Sequence, residues 1–304
     1  VRVAAVDIGT NTVRLLVAEV TGAALLPPRV QALDRRTVVT RLGQGVDARG
    51  SLADEAVDRT VEVLRGYGDA IVAWQPERVR VAATSATRDA ANRAVFLDRA
   101  ELALGTRPDV IDGDGEARLS FVGTTASLAG APPYLVIDPG GGSTEFVMGA
   151  TEPDLVLSID IGSVRLTERM LPHRPVGPAR LAAARSHVDD LLRGVRLPEP
   201  PGTVAGVGGT FTSLAAIALG LEVYDAEAVH RSRIDRSTLH ELVDRLATLS
   251  VDQTAAIPSL DPARAEVLLG GAVVAERCVA HVGVDGVVVS EHDILDGLAL
   301  SLVA

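Results

Sequence analysis

One short pattern occurs twice, and it constrains this chain more than any other feature. Val6-Asp7-Ile8-Gly9-Thr10-Asn11-Thr12 closes one apolar run and opens the next, and Ile137-Asp138-Pro139-Gly140-Gly141-Gly142-Ser143 does the same in the second half. Each copy is an apolar strand ending in Asp, a glycine two residues on, a small or polar turn, and a hydroxyl residue that starts a second strand. Such a restart reads as a duplicated domain, and 304 residues suffice for two domains of ordinary size. Residues 128–133 (LAGAPP) read as a hinge. The expected domains are therefore 1–127 and 128–304, the last helix being able to pack back on the first.

The flanking periodicities agree with this division. In the first half, strands are predicted at 1–6, 13–20 and 31–41. A helix follows with Val57, Val61, Leu64, Tyr67 and Ile71 at helical spacing, and Ser51 with Asp54 is placed to cap it. A strand at 78–82, helices within 86–104, a strand at 108–111 and a helix over 115–126 complete it. In the second half, strands at 134–137, 144–149 and 154–161 precede helices at 164–171 and 178–193. A strand at 203–207, helices at 210–219, 238–248 and 262–282, a strand at 286–289 and a helix at 293–302 follow. Three strands and then alternating helix and strand imply an α/β fold, with a mixed sheet and flanking helices in each half.

Composition limits the partners. The net charge is −11 and there is no lysine, all 29 basic residues being arginine. That balance argues against a general nucleic-acid binder, whose affinity rests on neutralising phosphates with Lys and Arg. An acidic protein that handles a polyanion must use local means: backbone N–H groups, metal ions and a few placed arginines. No run of about 18 uncharged apolar residues predicts a membrane span, and no basic and apolar leader precedes the first strand. One cysteine, Cys278, permits no internal disulfide. A soluble cytoplasmic protein is expected.

Three glycine-rich turns carry the chemistry. In Asp138–Glu145 (DPGGGSTE), three successive glycines exceed what a two-residue hairpin needs. Gly140, Gly141 and Gly142 let the backbone approach an anion, and Ser143 and Thr144 add hydroxyl donors. Asp138 and Glu145 offer oxygen ligands of the kind that suit Mg²⁺. The first turn, DIGTNT, has the same logic: Gly9 for close approach, Thr10, Asn11 and Thr12 as donors, and Asp7 as its acid. Alone, that turn is equally well a structural one. Gly208, Gly209 and Thr210 follow a strand and open a helix, where N–H groups and the dipole favour an anion, although tight packing also uses such glycines.

These loops, in this order, resemble the superfamily of actin, sugar kinases and the 70-kDa heat-shock proteins. Within it the chain is similar, over nearly its whole length, to the exopolyphosphatase and guanosine pentaphosphate phosphatase family (the Ppx/GppA phosphatases). DIGTNTVRLLV resembles that family's first phosphate loop, ATSATRDA its arginine segment, GEARLSF its catalytic segment and DPGGGSTEF its second loop. DIGSVRLTE and GVGGTFTSLA are similar to its later motifs. The resemblance implies two ribonuclease-H-like (actin-like ATPase) domains, each with a five-stranded mixed sheet, and an active site in the interdomain cleft. It implies a Mg²⁺-dependent phosphohydrolase with Glu116 as general base, Arg88 on phosphate, and Asp7, Asp138 and Glu145 around the metal. By its neighbours alone, Glu116 reads instead as an acid offsetting a helix dipole.

The expected substrate is inorganic polyphosphate, cut at its terminal phosphate. Guanosine pentaphosphate ends in the same anhydride and is the alternative. A homodimer is common in the resembled family. Gly115 stands where the family commonly has a second acid, and Pro139 where an aliphatic residue is usual. The chain also ends before the C-terminal helical extension of larger members, which points to short polyphosphates. An ATP-dependent kinase would need an acceptor, and a non-catalytic sensor of polyphosphate or alarmone would bind without turnover. Glu291-His292-Asp293 reads as a solvated helix start, and His230 with residues 231–233 as a solvated loop. Trp74 reads as an apolar anchor.

Overall fold

The computed structural model describes residues 1–22 and 29–303. The chain divides into two compact units, residues 1–127 with 292–304, and residues 128–291. The C-terminal helix therefore belongs to the first unit, and the second ends before it.

The first unit is built on β1 (Arg2–Ile8), β2 (Thr12–Thr21), β3 (Arg29–Val39), β4 (Arg78–Ala83) and β5 (Asp109–Val110), in the order β3-β2-β1-β4-β5. β1, β2 and β3 run antiparallel as a meander, while β4 lies parallel to β1 and β5 parallel to β4. β1 is apolar on both faces because both are covered. Ala4, Val6 and Ile8 pack with Val57, Leu64 and Phe96 from the helices Asp54–Trp74 and Arg93–Leu104. Val3 and Ala5 pack on the other face with Leu295, Leu298 and Ala299 from the last helix, Ile294–Ser301. Each such leucine contributes about 1.5–3 kcal/mol of burial, so sheet packing holds a helix that follows the second unit in sequence. That helix also meets Gly113–Thr125 at two glycines: a Cβ on Gly123 would sit 1.9 Å from Asp293 O, and one on Gly297 1.9 Å from Leu119 O.

The second unit carries β6 (Tyr134–Pro139), β7 (Thr144–Gly149), β8 (Pro153–Ile159), β9 (Thr203–Gly206), β10 (Arg233–Asp235) and β11 (Gly286–Val289), in the order β10-β11-β9-β6-β7-β8. It repeats the plan of the first unit: an antiparallel meander β6-β7-β8, then β9 parallel to β6 and β11 parallel to β9. The helix Ala265–Val282 is the centre of its core, with Leu268, Leu269, Val273 and Cys278 buried.

Three expectations need correction. The second sheet has six strands, because Arg233, read as loop, begins β10, whose Ile234 is 1% exposed. One buried residue in three gives no periodicity to detect. Ser51 does not cap the first long helix; Ala53 precedes it and makes no side-chain cap. Asp293 does cap the last helix, accepting from Leu295 N at 3.0 Å, but it is buried and not solvated. Trp74 packs partly buried against the first core, as an anchor would.

Candidate active site

In the first unit, β1, β4 and β5 end level with one another. Ile8 pairs with Ala83, Ala83 with Val110, and Ile111 N donates to Ala83 O at 3.1 Å. The carboxyl edge of parallel strands is where α/β sheets bind ligands. The segments leaving that edge are the first glycine turn, the arginine segment and the segment with Glu116.

The first turn is held from several sides. Thr84 N donates to Ile8 O at 3.1 Å, Gly43 N to Thr10 O at 2.8 Å, and Thr40 N and Arg41 N to Asn11 O at 3.0 and 2.9 Å. Thr10 Oγ1 lies 2.8 Å from Ser85 Oγ. Gly9 N closes the turn on Thr12 O at 2.9 Å, and Thr12 itself begins β2. Among the described residues, the N–H groups of Thr10 and Asn11 make no protein hydrogen bond, so they remain available to an anion.

Arg88 stands on the short helix Ser85–Asp89 and Glu116 in the first turn of Gly113–Thr125. Arg88 Nη1 is 3.7 Å from Glu116 Oε2 and donates to Ile111 O at 3.3 Å. Asp112 caps the Glu116 helix by accepting from Gly115 N at 2.8 Å. Gly115 thus supplies a backbone donor beside the acid, in a position that puts its absent Cβ 3.2 Å from Asp112 Oδ1.

Asp7 is buried at the end of β1. Its Oδ2 accepts from Arg14 Nε and Nη2 at 3.0 and 2.7 Å, while Oδ1 is buried with no hydrogen-bond partner. Burial pushes the Asp7 carboxyl above the ordinary range. Arg14 opposes this by charge and hydrogen bond, and Asp293 adds to the rise. Arg14 had no assigned role in the sequence, and Asp293 was read there only as part of a solvated helix start. Arg14 sits inside the first motif and could have been noticed there, whereas nothing local marks Asp293 as its partner.

In the second unit, β6, β9 and β11 again end together. Val207 N donates to Ile137 O, and Ser290 N to Gly206 O, both at 3.0 Å. The triple-glycine loop is pinned by the helix Ser163–Met170, whose Ser163 N and Val164 N donate to Gly140 O and Gly141 O at 2.9 Å. Gly140 N is spent within the loop on Ser143 O at 2.9 Å. Among the described residues, the N–H groups of Gly141 and Gly142 make no protein hydrogen bond. The Thr144 hydroxyl is committed to Ile161 O at 2.5 Å, and Ser158 Oγ donates to Glu145 Oε1 at 2.8 Å. Asp138 pairs across the hairpin with Glu145.

Gly208, at φ +75°, is where a Cβ would lie 2.7 Å from Asp138 Oδ1, so strain and contact both require glycine. Arg264 covers Gly209 closely enough that a Cβ there would be 1.7 Å from Nη1. The turn therefore presents a helix N-terminus and a guanidinium together. Thr210 is buried behind it, its hydroxyl 3.4 Å from Pro139 O.

A sequence profile of the Ppx/GppA phosphatase family matches residues 16–304. The chain belongs to the Ppx/GppA phosphatase family. It is 44% identical to a protein named Exopolyphosphatase 2 from Mycobacterium tuberculosis, covering 99% of this chain and 98% of the relative. Among solved structures, an exopolyphosphatase-like protein superposes with a TM-score of 0.92 at 36% identity, covering 99% of this chain and 98% of the other. A Ppx/GppA family member from Aquifex aeolicus superposes with a TM-score of 0.84 at 29% identity, covering 99% and 97%. The two mixed sheets with flanking helices, and a phosphohydrolase activity, are thus those of the Ppx/GppA family.

Proposed function

We propose that this chain releases the terminal phosphate of inorganic polyphosphate, with short chains preferred and Mg²⁺ required. One observation carries the reading: Arg88 and Glu116 lie together beside the first glycine turn. End-to-end similarity to a protein named exopolyphosphatase supports the substrate.

Each residue then has a role fitted to its surroundings. The free N–H groups of the two strand-to-strand turns, with the Gly208–Gly209 helix start, bind phosphate oxygens without needing lysine. Arg88 offsets charge on the group being transferred. Glu116, in the first turn of its helix, accepts the proton of the attacking water. Such a reaction is mostly positioning and electrostatics, so this machinery is sufficient.

Mg²⁺ fits the donors present. Among the described residues no three His, Cys, Asp or Glu side chains converge, which disfavours an all-protein cage. Mg²⁺ needs only one or two carboxylates and takes phosphates and water for the rest. In the first unit the orphaned Asp7 Oδ1 is a hard oxygen of that kind, and in the second unit Asp138 and Glu145 offer carboxylates on paired strand positions. When bound, the cation neutralises phosphate charge.

Phosphate release from short polyphosphate, long polyphosphate and guanosine pentaphosphate, with and without Mg²⁺, tests the proposal. Fastest turnover of short polyphosphate is expected; release only from guanosine pentaphosphate would replace the substrate, and binding without turnover would make the chain a sensor. A cytoplasmic homodimer belongs to the same proposal, to be checked by light scattering and cell fractionation. None of the described helices is long and apolar enough to cross a membrane.

A further inference from the structure

Arg14 stands between two buried carboxylates from opposite ends of the chain. Its Nε and Nη2 meet Asp7 Oδ2, and its Nη1 donates to Asp293 Oδ2. The side chains of Asp7 and Asp293 are each 5% exposed, and that of Arg14 17%. Two carboxylates share one guanidinium, so the trio is formally negative. The next cation, Arg35, is hydrogen-bonded to Asp296 at 2.6 Å and also acts on Asp293 by charge.

The open oxygen of the trio can be located. Asp293 uses Oδ1 for Leu295 N at 3.0 Å and Oδ2 for Arg14. Asp7 gives Oδ2 to Arg14, and only its Oδ1 is buried without a partner. Were Asp293 neutral, Arg14 and Asp7 would form a closed ion pair, and a divalent cation at Oδ1 would face an uncompensated guanidinium.

We propose that Asp293 is a positioning residue for the cation site: it draws one edge of Arg14 onto the last helix and so leaves Asp7 Oδ1 without a protein partner. This rests on the reading of Asp7 as a Mg²⁺ ligand. The last helix thereby acts on the site electrostatically as well as by packing. Asp293 works through Arg14, at one remove from the cation, and outer partners of metal ligands set affinity in this way.

The test is Mn²⁺ titrated into the full chain and followed by water-proton relaxation, alongside the Mg²⁺ dependence of phosphate release. Asp293→Asn keeps the shape and a helix-capping side chain but removes the charge. It is expected to weaken Mn²⁺ binding roughly 10- to 100-fold and to raise the Mg²⁺ activation constant in step, with a smaller change in kcat at saturating Mg²⁺. Asp293→Glu should restore part of the affinity. Asp296→Asn loosens the same helix through Arg35 and is expected to bind Mn²⁺ as the parent does. Parent-like Mn²⁺ affinity in Asp293→Asn overturns the inference, as does an equal loss in Asp296→Asn. A parent chain that binds no Mn²⁺ and hydrolyses in chelator overturns the Asp7 ligand reading itself, and this inference with it.

Discussion

Glu116 Oε2 and Arg88 Nη1 lie 3.7 Å apart, on helices that leave the adjacent parallel strands β5 and β4. The separation is longer than a charge-assisted hydrogen bond, about 2.7–2.9 Å. These two atoms are therefore in ion-pair range without a direct hydrogen bond between them.

Glu116→Gln should lower kcat by about 10²–10⁴-fold, the usual share of a general base, while KM changes little. Steady-state phosphate release from short polyphosphate measures both. Undiminished kcat would remove Glu116 from the base role and return it to its other reading, an acid at a helix start.

Arg88→Lys keeps the charge but loses the planar fork. A hydrogen bond to a charged partner is worth about 1.5–3 kcal/mol, so kcat/KM should fall roughly 10- to 100-fold. If lysine is tolerated fully, Arg88 acts as a point charge and bidentate contact is not needed.

Gly162→Ala probes the second loop without removing a polar group. The new Cβ would stand 2.5 Å from both Gly141 C and Gly141 O, whereas Gly177→Ala meets nothing within 4 Å. Overpacking of this kind costs about 1–3 kcal/mol. Gly162→Ala should lower Tm and raise KM together, with Gly177→Ala as the silent control. A normal KM would detach the loop from substrate binding.

Asp296→Asn gives a pH-dependent stability change whose sign follows from its surroundings. Burial alone would raise the Asp296 carboxyl, but His292 and Arg35 together hold it down to about 2, below its ordinary 3.8. A depressed carboxyl contributes stability above its unfolded value and loses it as pH falls through the folded one. The contribution near neutral pH is about 2 kcal/mol. Chemical denaturation should show Asp296→Asn weaker by that order at pH 7, with the gap closing from about pH 4 down to pH 2. A gap that is constant over this range would mean that packing, and not charge, is responsible.

Much of this was legible in local chemistry. The two Asp–x–Gly turns announced a repeated strand–turn–strand unit, and the structure has β1–β2 and β6–β7 on either side of them. β1 and β6 are apolar enough to be read as strands on sight. β10 was not, because its one buried residue, Ile234, is recruited by pairing with β11 and not by any local pattern.

The sequence by itself determined most of the order of elements and the three glycine turns with their own acids, since these depend on neighbours within a few residues, whereas Arg88 and Glu116 were singled out by the resemblance to the family. Tertiary structure alone decided which donors remain open, because Gly140 N and the Thr144 hydroxyl are used up inside the protein while Gly141 and Gly142 are not. It alone brought Arg88 to Glu116, and Asp293 to Arg14 across 279 positions. The reason is physical: hydrogen-bond partners and buried charges are settled by packing between distant segments, and no spacing along the chain encodes them.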